Sequence, residues 1–246
     1  MEKICNKEKA IELLKKDGSN LDILPENFKK DNKLVLLAVK NYGDALEYAD
    51  DSLKENKEIV LTAVQNDGRA IEYTDKKLKN DKEVVLAAVQ NHGDALEYAS
   101  ENLKKDKDVV LAAVKNEGYA IKFADESFRN NKEIIMSAVQ NDGSTLEFAH
   151  KNLKNDKEIV LAAVQNDGSA LQYVDEKLKQ DKEVVLKTVK VYGLALEFAH
   201  DSLKKDKEVL LTTVARSGHA LEFADESLKK DKQVVLAAIK NDGSAL

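Results

Sequence analysis

The sequence predicts an all-α fold, a right-handed α-solenoid of ~25-residue repeats in which each unit is a long helix, a short helix and a single helical turn. Three observations predict it. The 10 glycines (Gly18, Gly43, Gly68, Gly93, Gly118, Gly143, Gly168, Gly193, Gly218 and Gly243) fall on one lattice with a spacing of 25, and none lies off it. Asp or Asn stands twelve residues before each glycine, from Asn6 to Asp231. Leu or Ile stands three residues after each, and an aromatic residue stands five after in eight of the nine complete repeats (Tyr48, Tyr73, Tyr98, Phe123, Phe148, Tyr173, Phe198 and Phe223).

The repeat from Asp81 to Lys105 justifies the elements in order. Asp81 is a suitable N-cap, and Glu83 in the first turn faces the positive end of the helix dipole. Val84, Val85, Leu86, Ala88 and Val89 then form a wide apolar stripe, as on a helix packed on more than one side. Gly93 is expected to stop this helix in the left-handed conformation. A shorter helix follows, with Ala95, Leu96, Tyr98 and Ala99 at helical spacing, and the Ala95 column is expected to let neighbouring backbones approach closely. Glu101-Asn102-Leu103-Lys104 then forms a single turn pinned by Leu103, and in the first repeat Pro25 opens that turn.

A repeat array makes residues 1–246 one domain, because each unit contacts only its neighbours. Residues 1–30 form an N-terminal capping repeat, 31–230 eight regular repeats and 231–246 a truncated tenth unit. Lys9 and Glu12 replace the Val and small residues of later repeats, as a cap facing water requires. In the last unit Val234, Val235, Leu236 and Ile239 keep the internal pattern, which fits a sequence cut short within a repeat; the alternative is an open end that stacks on another chain.

Composition sets the class of partner. The chain is 43% hydrophobic and 34% charged, enough for a continuous core and a well-solvated exterior. A net charge of −6 argues against nucleic acid or an anionic membrane as the main partner. No apolar run approaches the ~18 residues of a membrane span, and the start Met1-Glu2-Lys3 is not a secretory signal. The single cysteine, Cys5, has no internal disulfide partner, which fits a reducing, cytoplasmic location.

The recurring phrase Asp-Lys-Glu-Val-Val-Leu-Ala-Ala-Val-x-Asn-x-Gly-x-Ala-Leu-Glu-Tyr-Ala-x-x-x-Leu-Lys resembles the repeats called domain of unknown function 4116. It is more distantly similar to leucine-rich-variant helical repeats. The resemblance covers nearly the whole chain; Asn20, Ile23 and Val191 depart from the pattern. It implies a helical repeat fold and an origin in bacteria or large viruses, including bacterial proteins that act on host cells. Export to a host cell without a classical signal peptide is therefore the alternative to a cytoplasmic location. It implies no activity.

Catalytic residues converge on one cleft, whereas a repeated surface offers ladders. The sequence has no phosphate loop, no paired-cysteine spacing and no His-Glu-x-x-His, so no enzyme, catalytic residue, metal or cofactor is expected. His150 and His200 share a column two repeats apart; with helices ~8–10 Å apart they are too distant to share a metal. The Lys or Arg column eleven residues after each glycine and the Lys column after most caps form an edge that adjacent carboxylates neutralise.

Departures from the pattern concentrate in the columns before and after each glycine, which vary in size and charge on a constant frame. Variation of this kind tunes recognition along a repeat surface. The expected partner-binding residues are Tyr42, His92, Tyr119, Val191, Tyr192, Leu194 and His219, with the densest patch at Val191, Tyr192 and Leu194. The expected function is a non-enzymatic scaffold for protein–protein interaction. The alternative is a structural spacer that self-associates through its C-terminal end.

Overall fold

The computed structural model describes residues 6–245, so Cys5 and Leu246 lie outside the described residues. The chain is an all-α repeat solenoid, and no β-strand occurs among the described residues. Backbone contacts divide it into two compact units, Met1–Glu126 and Ser127–Leu246. The first unit holds long helices α1 (Lys7–Lys16), α2 (Asn32–Asn41), α3 (Lys57–Asn66), α4 (Lys82–Asn91) and α5 (Lys107–Asn116). The second holds α6 (Lys132–Asn141), α7 (Lys157–Asn166), α8 (Lys182–Val191), α9 (Lys207–Arg216) and α10 (Lys232–Asn241). Within each unit every long helix packs on the next. No helix among the described residues is long and apolar enough to cross a membrane.

Each long helix has 10 residues, fewer than the ~12–15 at which isolated helices become even marginal in water. Packing and capping must hold it. Asp81 Oδ1 accepts hydrogen bonds from the Glu83 and Val84 amides at 3.0 and 3.3 Å. Asn56, Asn131, Asp156, Asp181, Asp206 and Asp231 cap their helices in the same way. Along α4, Val84, Val85, Ala88 and Val89 are fully buried. Burying a Val stabilises by roughly 1.5–3 kcal/mol relative to leaving it exposed, so these four positions outweigh the short helix's own propensity. Leu86 and Ala87 are only half-buried, so the apolar stripe is narrower than its sequence suggests.

After α4 the chain turns through His92, whose backbone is extended and whose amide donates to the Ala88 carbonyl. The short element that follows, Gly93–Tyr98, is a 3₁₀-helix and not an α-helix. Its closing bonds run three residues back, from Ala95 to His92 O at 3.1 Å and from Ala99 to Leu96 O at 3.2 Å. Ala95 and Leu96 are fully buried, and within each unit these 3₁₀ elements stack on one another. Thr145 takes the Ala95 position in its own repeat, buried with its hydroxyl donating to the Asp142 carbonyl. Leu103 is buried in the closing turn. Pro25 caps the Glu26–Lys29 turn, and its carbonyl accepts the Phe28 amide at 2.8 Å.

The glycines do not work as the sequence suggested. None of the described glycines has positive φ, so they are not left-handed helix stops. At eight of them the next repeat lies where a side chain would stand. A Cβ on Gly93 would sit 2.6 Å from the Ala113 carbonyl oxygen and 2.7 Å from Glu117 Cβ. On Gly43 it would sit 2.6 Å from the Ala63 oxygen and 2.9 Å from Asp67 Cβ. Real Cβ atoms do not come this close to backbone.

Polar links set the register between repeats. At the capped end of the long helices, the Lys after each cap reaches the next cap: Lys57 to Asp81, Lys157 to Asp181 and Lys182 to Asp206 at 2.7 Å, and Lys82 to Asp106 and Lys132 to Asp156 at 2.8 Å. Each of these lysines also meets a first-turn carboxylate, as Lys57 meets Glu83 at 2.8 Å. Lys7 pairs likewise with Asp31. The cap lysines are thus neutralised pair by pair, whereas in the other basic column Lys79 and Lys154 donate to the Glu72 and Glu147 carbonyls at 2.6 and 2.7 Å. At the closing turns the link is backbone to backbone, with the Asp50, Asp75 and Ser100 amides donating to the Lys29, Lys54 and Lys79 carbonyls at 3.0, 3.2 and 2.9 Å.

The lysine hydrogen bond holds the carboxyls of Asp31, Asp81, Asp156, Asp181 and Asp231 below the usual range. The same contacts raise Lys57, Lys82, Lys132, Lys157 and Lys182. A depressed carboxyl stabilises the fold above its unfolded value of 3.8 and loses that contribution as pH falls through its folded value. A raised lysine stabilises below 10.5 and loses its contribution as pH rises further. The thermal midpoint, followed by circular dichroism, is expected to be flat between these limits and to fall beyond both; a midpoint unchanged down to about pH 2 would show that the ladder does not couple to folding. Gly93→Ala is expected to destabilise by about 1–3 kcal/mol in urea titration, as overpacking does. Gly243→Ala, with nothing within 4 Å of its Cβ position, is expected to be near neutral. Equal effects at the two sites would contradict the packing role.

Candidate functional site

The columns flanking the glycines form one edge of each unit. The residue before each glycine ends the long helix in extended backbone and lays its Cβ over the glycine of the preceding repeat. Tyr192 Cβ is 2.5 Å from a Cβ built on Gly168, and Ser217 Cβ 2.8 Å from one built on Gly193. Beyond the Cβ the column divides: Asp67, Asp142 and Asp167 cap the element that follows by accepting the Arg69, Ser144 and Ser169 amides, whereas Tyr42 and Tyr192 make no capping bond.

A second feature of this edge is an asparagine two residues before the glycine. Its Oδ1 accepts the glycine amide of the preceding repeat, and its Nδ2 donates to a carbonyl at the end of the preceding long helix. Asn66 takes the Gly43 amide at 2.7 Å and gives to the Lys40 carbonyl at 3.0 Å. Asn91 brackets Gly68 and Gln65, Asn116 Gly93 and Gln90, Asn166 Gly143 and Gln140, and Asn241 Gly218 and Ala215. These bonds satisfy two backbone groups that the tight approach would otherwise strand. Sequence reasoning noted this Asn only through its absence at Val191. Its repetition two residues before most glycines was the available signal.

In the first unit, Tyr42, His92 and Tyr119 stand on three different repeats. Tyr42 is 41% exposed and Tyr119 38%. The Lys122 ammonium lies 4.9 Å from the Tyr119 ring centroid. His92 Nδ1 accepts the Gly68 amide at 3.2 Å and lies 3.2 Å from Asp67 Oδ1, so the imidazole is half-buried and held. The surroundings are acidic. Burial and the neighbouring Asp67 push the Asp44 carboxyl up, and Asp94 is held by Arg69 at 2.7 Å.

In the second unit four candidates fall on neighbouring elements. Val191 and Tyr192 end α8, 39% and 41% exposed. Leu194 is half-buried and lines one open groove with His219, Glu222, Ser244 and Ala245. His219 Nε2 is 3.0 Å from Asp242 Oδ2. Lys190 and Arg216, both exposed, make no ion pair or hydrogen bond among the described residues, whereas Lys187 pairs with Glu183 at 3.0 Å. The structure thus brings Val191, Tyr192, Leu194 and His219 to one edge and leaves Tyr42, His92 and Tyr119 dispersed along another.

The remaining histidines have local structural tasks. His200 Nδ1 accepts the Ser202 amide at 3.2 Å, and His150 Nδ1 accepts the Asn152 amide at 3.4 Å. Each stands in the column where Asp50, Asp175 and Asp225 cap the same turn. Among the described residues no three His, Cys, Asp or Glu side chains are grouped so as to hold a metal ion.

The family model described as Domain of unknown function (DUF4116) matches in eight overlapping stretches, residues 6–54, 56–104, 83–129, 106–154, 131–179, 156–204, 181–225 and 206–246. No curated protein and no solved structure matches the chain.

Asn66→Ala removes both bonds of one bracket and strands the Gly43 amide and the Lys40 carbonyl. A loss of about 1–3 kcal/mol is expected in urea unfolding, the cost of an unsatisfied buried group. A loss under ~0.5 kcal/mol would mean that water replaces the bracket without penalty.

Proposed function

The chain belongs to the DUF4116 repeat family, and we propose that it is a non-enzymatic scaffold that binds a protein partner through the variable positions flanking its glycines. The observation that carries this reading is the exposure of Tyr42 and Tyr119 in the first unit and of Val191 and Tyr192 in the second, on edges whose other positions are spent on glycines, buried Ala and Leu, and asparagine brackets. Tyr42 and Tyr192 stand where other repeats place a capping Asp and make no capping bond themselves, so their rings are left for other contacts. That is the arrangement in which a repeat surface acquires a partner without loss of fold. His150 and His200 accept amides of their own turns and His219 pairs with Asp242, roles that stay local to single repeats or neighbours.

The strongest patch is the end of α8. Val191, Tyr192 and Leu194 supply apolar and aromatic area, and Tyr is enriched where binding energy concentrates. Lys190 flanks them, and Arg216 occupies the register position of Val191 on the neighbouring helix. Both cations are free of ion pairs among the described residues. The partner segment that fits is apolar with acidic neighbours.

Selection of a random peptide library against the immobilised chain tests this. Enriched peptides are expected to carry an aliphatic or aromatic residue beside Asp or Glu. Tyr192→Ala combined with Leu194→Asp is expected to weaken them at least tenfold with an unchanged thermal midpoint. Lys190→Glu combined with Arg216→Glu is expected to weaken the acidic ones and remove their salt dependence. Enrichment unaffected by either double variant would reject the patch.

A further inference from the structure

The asparagine bracket is missing at two consecutive interfaces of the second unit, those on either side of α8. Val191 and Arg216 stand where the other brackets have Asn. The Gly168 and Gly193 amides, both on buried residues, make no hydrogen bond among the described residues. A second departure coincides with the first. The buried Ala of the long helix (Ala63, Ala88, Ala113, Ala163, Ala238) is Thr188 in α8 and Thr213 in α9, each fully buried with its hydroxyl donating to the carbonyl four residues back. The glycine-to-carbonyl approach is also longer. A Cβ on Gly218 would lie 2.6 Å from the Ala238 oxygen, but on Gly168 it would lie 3.5 Å from the Thr188 oxygen and on Gly193 3.3 Å from the Thr213 oxygen.

The other links at these interfaces persist. Lys157 still meets Asp181 and Lys182 still meets Asp206 at 2.7 Å. At the closing turns the His200 amide still donates to the Lys179 carbonyl and the Asp225 amide to the Lys204 carbonyl, both at 3.2 Å. The loss is therefore confined to the glycine end.

We propose that α8 is a built-in yielding point: its glycine end separates from α7 and α9 while its capped end stays clamped, so the repeat opens as a hinged leaf. Each missing bracket removes two hydrogen bonds and strands a buried amide, whereas the clamps on the far side are of the same kind as elsewhere. Local opening follows the weakest contacts. The hinge is independent of the binding reading, because it concerns the contacts beneath the edge and not what covers it.

Amide hydrogen exchange by NMR on the full chain tests this at groups bonded alike in every repeat. The Tyr192 amide (to Thr188 O) and the Ala195 amide (to Tyr192 O) are compared with Asp67 (to Ala63 O) and Ala70 (to Asp67 O), whose repeat has both brackets. After correction for intrinsic rates, Tyr192 and Ala195 are expected to exchange roughly tenfold faster or more. Val191→Asn with Arg216→Asn is expected to abolish the difference, both positions being exposed. The converse pair, Asn66→Val with Asn91→Val, is expected to make Asp67 and Ala70 exchange at the faster rate. Equal protection in the unmodified chain, or rates unmoved by the restoring pair in a protein of unchanged circular dichroism, would overturn the proposal.

Discussion

The fold depends on one steric fact: the carbonyl of an interior Ala and the Cβ of the residue ending the long helix occupy the space a side chain would need at the preceding repeat's glycine. A Cβ on Gly93 would lie 2.6 Å from the Ala113 oxygen, so the long helices and 3₁₀ elements can nest only if that position is bare. The rest of the repeat is arranged to exploit this approach. Small residues such as Ala88 and Ala95 line the contact and are fully buried. The 3₁₀ winding of Gly93–Tyr98 places Ala95 and Leu96 inward in few residues. Close packing of this kind shields the backbone groups at the contact from water, so a group left without a partner in the protein, as the Gly168 and Gly193 amides are among the described residues, is costly.

Three polar links do this at separate places on the repeat. A lysine joins successive caps, an amide–carbonyl bond joins successive closing turns, and an asparagine brackets the glycine end. Their energies differ in kind. The lysine pairs are partly exposed and screened, and surface pairs are individually worth little; their repetition sets register more than it adds stability. The asparagine satisfies a buried amide, and leaving such a group unpaired costs more than a surface pair contributes. The register is therefore most sensitive at the glycine end, where Val191 and Arg216 interrupt the series.

Much of this was legible in the sequence because a repeat states each contact many times. The lattice of 25 gave the unit, and the Asp or Asn twelve residues before each glycine gave the helix starts, which the caps at Asp81 and Asn56 match. The alanine column lies buried in the stack of 3₁₀ elements. The glycines were misread, because glycine after a helix most often signals a left-handed stop, and sequence does not separate a demand on φ from a demand for space. The short helix was read as helical without its 3₁₀ winding, since three or four residues of apolar spacing fit either. Leu86 was read as part of a buried stripe although the neighbouring helices cover only the Val84, Val85, Ala88 and Val89 side. The bracketing role of Asn66 was illegible because both its partners are backbone groups, which carry no sequence signature.

The candidate surface was legible for the complementary reason. Where the fold accepts a capping Asp or no cap at all, as at Tyr42 and Tyr192, composition is free to drift or to be used, and either outcome appears as a variable column. What separates use from drift is direction. In other repeats the column before the glycine serves the fold, as Asp67, Asp142 and Asp167 cap the element that follows by accepting the Arg69, Ser144 and Ser169 amides. At the end of α8 the departures instead run together toward apolar and cationic chemistry, with Val for Asn at 191, Tyr at 192, Leu at 194 and Arg for Asn at 216. Two of these substitutions also forfeit a bracket that satisfies a buried amide. A change that costs stability and exposes apolar area together is hard to sustain as drift. Co-location of the two on one repeat supports the proposal that the end of α8 contacts a partner.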